Sequence, residues 1–303
     1  MRQTALDTVF EIAKTDSRIL FIGSDLGSNT LESMRREIPN QFMMEGISEQ
    51  HIIGYAAGLA KEGYIPFINT IATFLSRRAL EQIILDVALH NLPVKILASG
   101  GGMVYAPLGP THTAIDDLSH ILAIPNMNVY SPCDANEMKL IIQDESVKTS
   151  PAYIRFGKGG EALVSHEFKN GDTPHLKYLG SLDAQKVIIT TGVTVQLALE
   201  ATAELIDKHE VLLCHLPKLN LESSMFLNAV LKNRERVLVI EEHQQIGGLL
   251  TQILHYCQFH KILTPQFKHI SLGKYFVRGY GSQSDHFREY GITTSNILAQ
   301  LKG

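Results

Sequence analysis

The feature that most constrains this chain is an alternation of strand-length apolar runs with amphipathic helical segments, made twice and interrupted once. Arg18 to Ile22, Ile65 to Ile68, Val94 to Ala98, Asn128 to Tyr130 and Ala152 to Phe156 read as buried strands. Between them, Ser48 to Lys61, Phe74 to His90 and Asp134 to Glu145 carry apolar residues at helical spacing. Residues 157–183 break the pattern, being rich in Gly, Lys and polar residues with no sustained period. The alternation then resumes: strands at Val187 to Thr190, Val211 to Cys214 and Val237 to Ile240, helices at Val193 to Lys208 and Gly247 to Tyr256. Alternation of this kind predicts an α/β protein of two open, mostly parallel sheets. The expected organisation is a first domain over 1–165, a linker over 166–184 with at most a stray strand, and a second domain over 185–303. Ligands of such sheets sit beyond the carboxyl ends of strands. The loops after Ile22, Ile68, Ala98, Tyr130 and Phe156 are therefore the places to look for chemistry.

Composition narrows the function classes. A length of 303 residues suits two domains, and 45% apolar residues supply both with cores. A formal net charge of -4 argues against nucleic acid or an anionic membrane held by bulk charge. The cysteines, Cys133, Cys214 and Cys257, are few and scattered, which predicts neither a disulfide framework nor a zinc site. The first residues form no apolar signal core, and no apolar run is long enough to span a bilayer. A cytoplasmic protein is expected.

The segment MEGISEQHIIGYAAGLAKEGYIPF opens a helix with Glu49 directly after a Gly-Ile-Ser turn. An acidic residue there is ordinary helix chemistry, favoured by the helix dipole. The neighbours add more. Gly46-Ile47-Ser48-Glu49-Gln50-His51, then Ala57-Gly58-Leu59-Ala60, then Gly63 and Pro66-Phe67 closely resemble the glutamate helix of transketolases and 1-deoxyxylulose-5-phosphate synthases. The resemblance implies thiamine diphosphate as cofactor and Glu49 as the carboxylate that hydrogen-bonds N1' of its pyrimidine. That contact promotes the imino form, through which the 4'-amino group takes the thiazolium C2 proton. It also implies that Phe74, eight residues after Pro66, stacks on the aminopyrimidine, with Ile71 lining the same pocket. Relative to the synthase version of this segment there is one extra residue around Arg77-Arg78.

LASGGGMVYAPLGPTHTAIDDLSHI carries a second match, the Gly109-Pro110-Thr111-His112 turn. By resemblance His112 faces the reacting carbon and hydrogen-bonds substrate. Transketolases place an aspartate directly before this turn and a histidine some eight residues further upstream. This chain has Leu108 and Gly100 there. Two polar contacts to the usual ketose donor are thus missing, which suggests another donor or contacts supplied from elsewhere.

The resemblance further implies a phosphate grip in PAYIRFGKGG, from Arg155 or Lys158, with Arg2 and Ser28 near two more phosphate positions and Asp25 near the cofactor. The Gly-Asp-Gly and following asparagine that hold Mg2+ and diphosphate in such enzymes do not occur here. The likeness covers nearly the whole chain but only the latter half of a transketolase. It implies a pyrimidine-binding domain and a transketolase-type C-terminal domain. It also implies an N-terminal transketolase partner that supplies the Mg2+ ligands, self-association into a heterotetramer, and ketol transfer between sugar phosphates. No metal ligand is assigned to this chain, and Glu241-Glu242-His243 is read as structural. The rival readings are the beta chain of a 2-oxo acid dehydrogenase and a non-catalytic scaffolding paralogue.

Overall fold

In the computed structural model, which describes residues 1–23, 29–171, 175–221, 223–232, 234, 236–263 and 265–302, each half of the chain builds one six-stranded sheet. The first half runs α1 (Arg2–Ala13), β1 (Ile19–Gly23), α2 (Asn29–Glu37), β2 (Phe42–Met44), α3 (Glu49–Lys61) and β3 (Ile65–Ile71). An irregular helix containing α4 (Leu80–Gln82) follows, then β4 (Lys95–Ser99), α5 (Asp117–Leu122), β5 (Asn128–Tyr130), α6 (Ala135–Glu145) and β6 (Ala152–Phe156). Its strands are all parallel, in the order β2-β1-β3-β4-β6-β5. Every residue of β1, β3, β4 and β6 is buried, as expected where helices cover both faces of a parallel sheet.

The second half holds β7 (Lys169–Asn170), β8 (Lys177–Gly180), β9 (Lys186–Thr190), α7 (Thr194–Asp207), β10 (Val211–His215), α8 (Met225–Leu231), β11 (Arg236–Ile240), α9 (Leu249–Phe259), β12 (Gln266–Ile270), α10 (Gln283–Glu289) and α11 (Thr294–Lys302). Here β12, β11, β9 and β10 are parallel, and β8 and β7 are added antiparallel at one edge. The expected linker is therefore partly sheet: β8 hydrogen-bonds β10 along its whole length.

The helix expected from Phe74 to His90 is not regular. Residues Phe74–Arg78 and Ile83–Ala88 are π-helical, with Ala79 N–H bonded to Phe74 O and Leu89 N–H to Ile84 O. A π turn accommodates one extra residue in a helix, and it recurs at functional sites. The first π turn coincides with the extra residue at Arg77-Arg78.

The two halves share one core. A single apolar cluster joins Ile68, Ile96 and Val129 to Val187, Leu212 and Val239. Polar ties reinforce it, among them Val129 N–H to Asn220 Oδ1 (2.6 Å) and Ser131 N–H to Pro217 O (2.8 Å).

Candidate active site

Glu49 is the first residue of α3 and is 1% exposed. The turn before it requires a positive φ at Gly46 (+68°), which glycine adopts without steric cost. The dipole of α3 favours an anion at this end. Glu49 Oε2 accepts a hydrogen bond from Arg78 Nη1 at 2.6 Å. The Arg78 guanidinium also lies 4.5 Å over the Phe74 ring. Phe74 in turn meets the His112 ring edge-on, with centroids 5.2 Å apart at 72°. Glu49, Phe74 and His112, from three separate segments, thus form one continuous row through Arg78.

The π turn explains how adjacent arginines serve two directions. Arg77 reaches across to the His112 segment, donating to Asp116 Oδ1 (2.7 Å) and to Thr113 O (3.1 Å). Arg78 reaches Glu49. Neither arginine was singled out from sequence as a site residue; the signal was the doubled arginine itself. His112 is half-buried, and its Nδ1 is 2.9 Å from Thr111 Oγ1. Ile71 is buried at the end of β3, two residues before Thr73.

Other expected residues fall elsewhere. Arg155 is buried, and its Nε and Nη2 are engaged inside the protein. It donates to Asp117 Oδ2 (3.1 Å), Ala114 O (3.2 Å) and Glu242 O (2.7 Å), tying the first domain to the second. Of the two cations expected at a phosphate, Arg155 is thus the one held by internal bonds. Lys158 is exposed and lines a groove of about 470 Å³ with Gly159, Gly160, Gln196 and Glu200. Arg2 is half-buried in the first turn of α1. Asp25 and Ser28 lie outside the described residues. Leu108 is 54% exposed.

The second domain shapes the site from behind. Glu242 accepts from Met103 N–H (2.7 Å) and Gln283 Nε2 (2.7 Å), pinning the glycine loop that leads to His112. Burial pushes the Glu242 carboxyl above its ordinary value. Its neighbour Glu241 points the other way, accepting from Leu249 N–H (2.7 Å) at the start of α9 and lying 2.9 Å from His269 Nε2. Burial alone would raise Glu241, but the His269 hydrogen bond and nearby positive charge outweigh it and hold the carboxyl low. These two residues do not converge on one point.

Among the described residues one group could approach a metal ion: Cys133, Glu137 and His215, all buried. Lys177 Nζ already sits 2.6 Å from Glu137 Oε1, and His215 Nε2 lies 2.7 Å from Oε2. A thiol and an imidazole are not the oxygen ligands that Mg2+ takes. No helix among the described residues is long and apolar enough to cross a membrane.

Residues 1–160 match the transketolase pyrimidine-binding domain, and residues 182–297 match the transketolase C-terminal domain. The chain belongs to the transketolase family. One relative, a subunit of the apulose-4-phosphate transketolase of Phocaeicola vulgatus, is 33% identical over 82% of this chain and 80% of its own length. The 1-deoxy-D-xylulose-5-phosphate synthase of Syntrophus aciditrophicus is 31% identical over 98% of this chain, but only 46% of the synthase is covered. A solved split-gene transketolase, described as an inactive beta4 tetramer, superposes with a TM-score of 0.85 at 26% identity, covering 99% of this chain and 96% of that one. The transketolase of Campylobacter jejuni shares the fold with a TM-score of 0.82 at 18% identity, and this chain spans 46% of it. The family thus includes proteins of this length as well as proteins about twice as long.

Proposed function

We propose that this chain is the pyrimidine-side half of a two-chain transketolase. It would transfer a two-carbon ketol unit from a phosphorylated ketose to an aldose, with thiamine diphosphate and Mg2+. The observation that carries this reading is the row Glu49–Arg78–Phe74–His112. An aminopyrimidine needs a carboxylate at one ring edge and an aromatic face, and a planar nitrogen-bearing group already lies across both. The residues therefore fit the pyrimidine half of the cofactor.

When bound, thiamine diphosphate supplies the nucleophilic carbon and the electron sink for carbon–carbon bond breaking and making. Glu49, buried at the start of α3, holds the proton at the N1' edge. Phe74 fixes the ring plane. His112, steadied at Nδ1 by Thr111, keeps Nε2 for the donor carbonyl oxygen. Lys158 takes a substrate phosphate as a point charge. The Mg2+ and diphosphate ligands come from a second chain. Two relatives close to this chain in length support that division, one named as a transketolase subunit and the other as a split-gene transketolase.

Calorimetry with thiamine diphosphate and Mg2+ tests this, on the chain alone and with its diphosphate-binding partner, each beside Glu49→Gln. Tight binding only by the pair, with ketol transfer lost in Glu49→Gln, is the expected result. The synthase relatives make a decarboxylating donor the second reading. Release of CO2 from pyruvate, with no transfer from any ketose, would decide for it.

A further inference from the structure

At the carboxyl ends of β3 and β4 the chain buries three hydroxyls that find no hydrogen-bond partner among the described residues: Thr73 Oγ1, Ser99 Oγ and Tyr105 Oη. Their residues are 1%, 0% and 9% exposed. Ser99 ends β4 opposite Ile71, and Thr73 follows Ile71 by two residues, immediately before Phe74. Tyr105 comes from the loop that leads to His112. Its ring lies against Gly100, the residue after Ser99. A buried hydroxyl without a partner is costly to keep, because it has given up water for nothing. Buried hydroxyls left unsatisfied beside strand ends, where α/β sheets place ligands, are groups that a polar ligand completes.

Tyr105 also explains Gly100. Position 100 has φ +76°, and a Cβ built there would lie 2.0 Å from Tyr105 Cε2 and 2.2 Å from Cδ2. The position cannot carry the histidine of the usual transketolase pattern. The tyrosine ring occupies the room of that side chain. Its Cζ is 3.1 Å from the Cβ position, and the hydroxyl stands one bond further out.

We propose that Tyr105 Oη hydrogen-bonds a hydroxyl on the departing part of the donor ketose, replacing the polar contacts that Gly100 and Leu108 do not make. Thr73 and Ser99 complete the polar lining. This rests on the ketol-transfer reading of the site.

The test uses the assembled enzyme, with partner chain, thiamine diphosphate and Mg2+, and the variant Tyr105→Phe. The donors are D-xylulose 5-phosphate, D-fructose 6-phosphate and hydroxypyruvate. The last delivers the same two-carbon unit but has no hydroxyl on the part that leaves. For the ketose phosphates, kcat/KM falls roughly ten- to hundredfold, the worth of one buried hydrogen bond. For hydroxypyruvate it stays about the same. With Glu49→Gln, where the donor binds without turnover, adding Tyr105→Phe weakens ketose phosphate binding by a similar factor in calorimetry. Because the hydroxyl has no partner among the described residues, Tyr105→Phe alone melts at the same or a higher temperature than the wild type. A lower melting temperature, an equal loss on every donor, or no loss on any overturns the assignment and leaves ketol transfer standing. A wild-type complex that binds cofactor but transfers from none of the three donors overturns the ketol-transfer reading and the assignment with it.

Discussion

Arg78 Nη1 donates to Glu49 Oε2 at 2.6 Å while the same guanidinium lies 4.5 Å over Phe74. On the proposed reading, one flat cation thus holds both contacts that a stacked aminopyrimidine would take, and cofactor binding would displace it. In Arg78→Met the competitor is gone and a buried carboxylate loses its partner. The chain alone is expected to lose about 1–2 kcal/mol, less than for a fully buried pair because Arg78 is half exposed. The complex is expected to bind thiamine diphosphate more tightly. Chemical melts and calorimetry read the two signs. Weaker cofactor binding in Arg78→Met would mean that the arginine stays and helps to hold the ring.

The legible part of the molecule was the part written in local pattern. A parallel strand buried on both faces is a continuous apolar run, so β1, β4, β9 and β11 could be found without knowing their neighbours. β8 could not. It is a half-buried strand with no clean alternation, and its pairing comes from β10 further along the chain. Glu49, Phe74 and His112 could be singled out because a resemblance to known motifs falls on a helix start and a turn, and the structure places the three in one row. The inward turn of Arg155 was not legible, since its partners Asp117 and Glu242 lie 38 residues before and 87 residues after it. Tyr105 was silent for a similar reason. Only the backbone of Gly100 shows what its ring replaces.

Glu241 and Glu242 are adjacent yet should give opposite pH dependence. Burial raises the Glu242 carboxyl in the folded state. Between the ordinary carboxylate value and that raised value the folded chain holds more protons than the unfolded one, so stability falls as pH rises through this window. Glu242→Gln keeps an oxygen for Met103 N–H and Gln283 Nε2 and removes the charge. It should be more stable than the wild type at neutral pH, with that slope gone. Glu241 is held low, so its contribution is present above the ordinary carboxylate value and is lost as pH falls through the lowered one. Glu241→Gln should cost about 1–3 kcal/mol at neutral pH, through weakened bonds to His269 and the start of α9. Urea melts at several pH values check both signs.

All three cysteines should be silent toward a thiol reagent in the native chain. Burial, reinforced by Glu137 and Asp134, pushes the Cys133 thiol far up. Burial takes Cys214 up to about 12 and raises Cys257 as well. The thiolate is the reactive form, and it is scarce at about pH 8 in each case. Titration with a disulfide reagent should give no thiol natively and all three in urea. Rapid native labelling of Cys133 would show that the α6–β10 contact, where Glu137 meets His215, opens readily.

Restoring the usual transketolase histidine by Gly100→His should damage the protein instead of repairing it. Two independent obstacles stand at this position. The backbone has φ +76°, which costs a side-chain-bearing residue about 1–2 kcal/mol. The Tyr105 ring lies within 2.0 Å of where Cβ would be, so it must leave its buried place. Gly100→Ala brings the same backbone strain and the same Cβ against the ring, so both variants should lower the melting temperature, Gly100→His further because its imidazole needs room beyond Cβ. Adding Tyr105→Ala to Gly100→His should recover the steric part only. If the double variant melts like Gly100→Ala or higher, ring and histidine compete for one space, as the geometry requires. If it melts no higher than Gly100→His alone, the loop does not relax around a vacated ring, and the backbone at Gly100 is what keeps the histidine out.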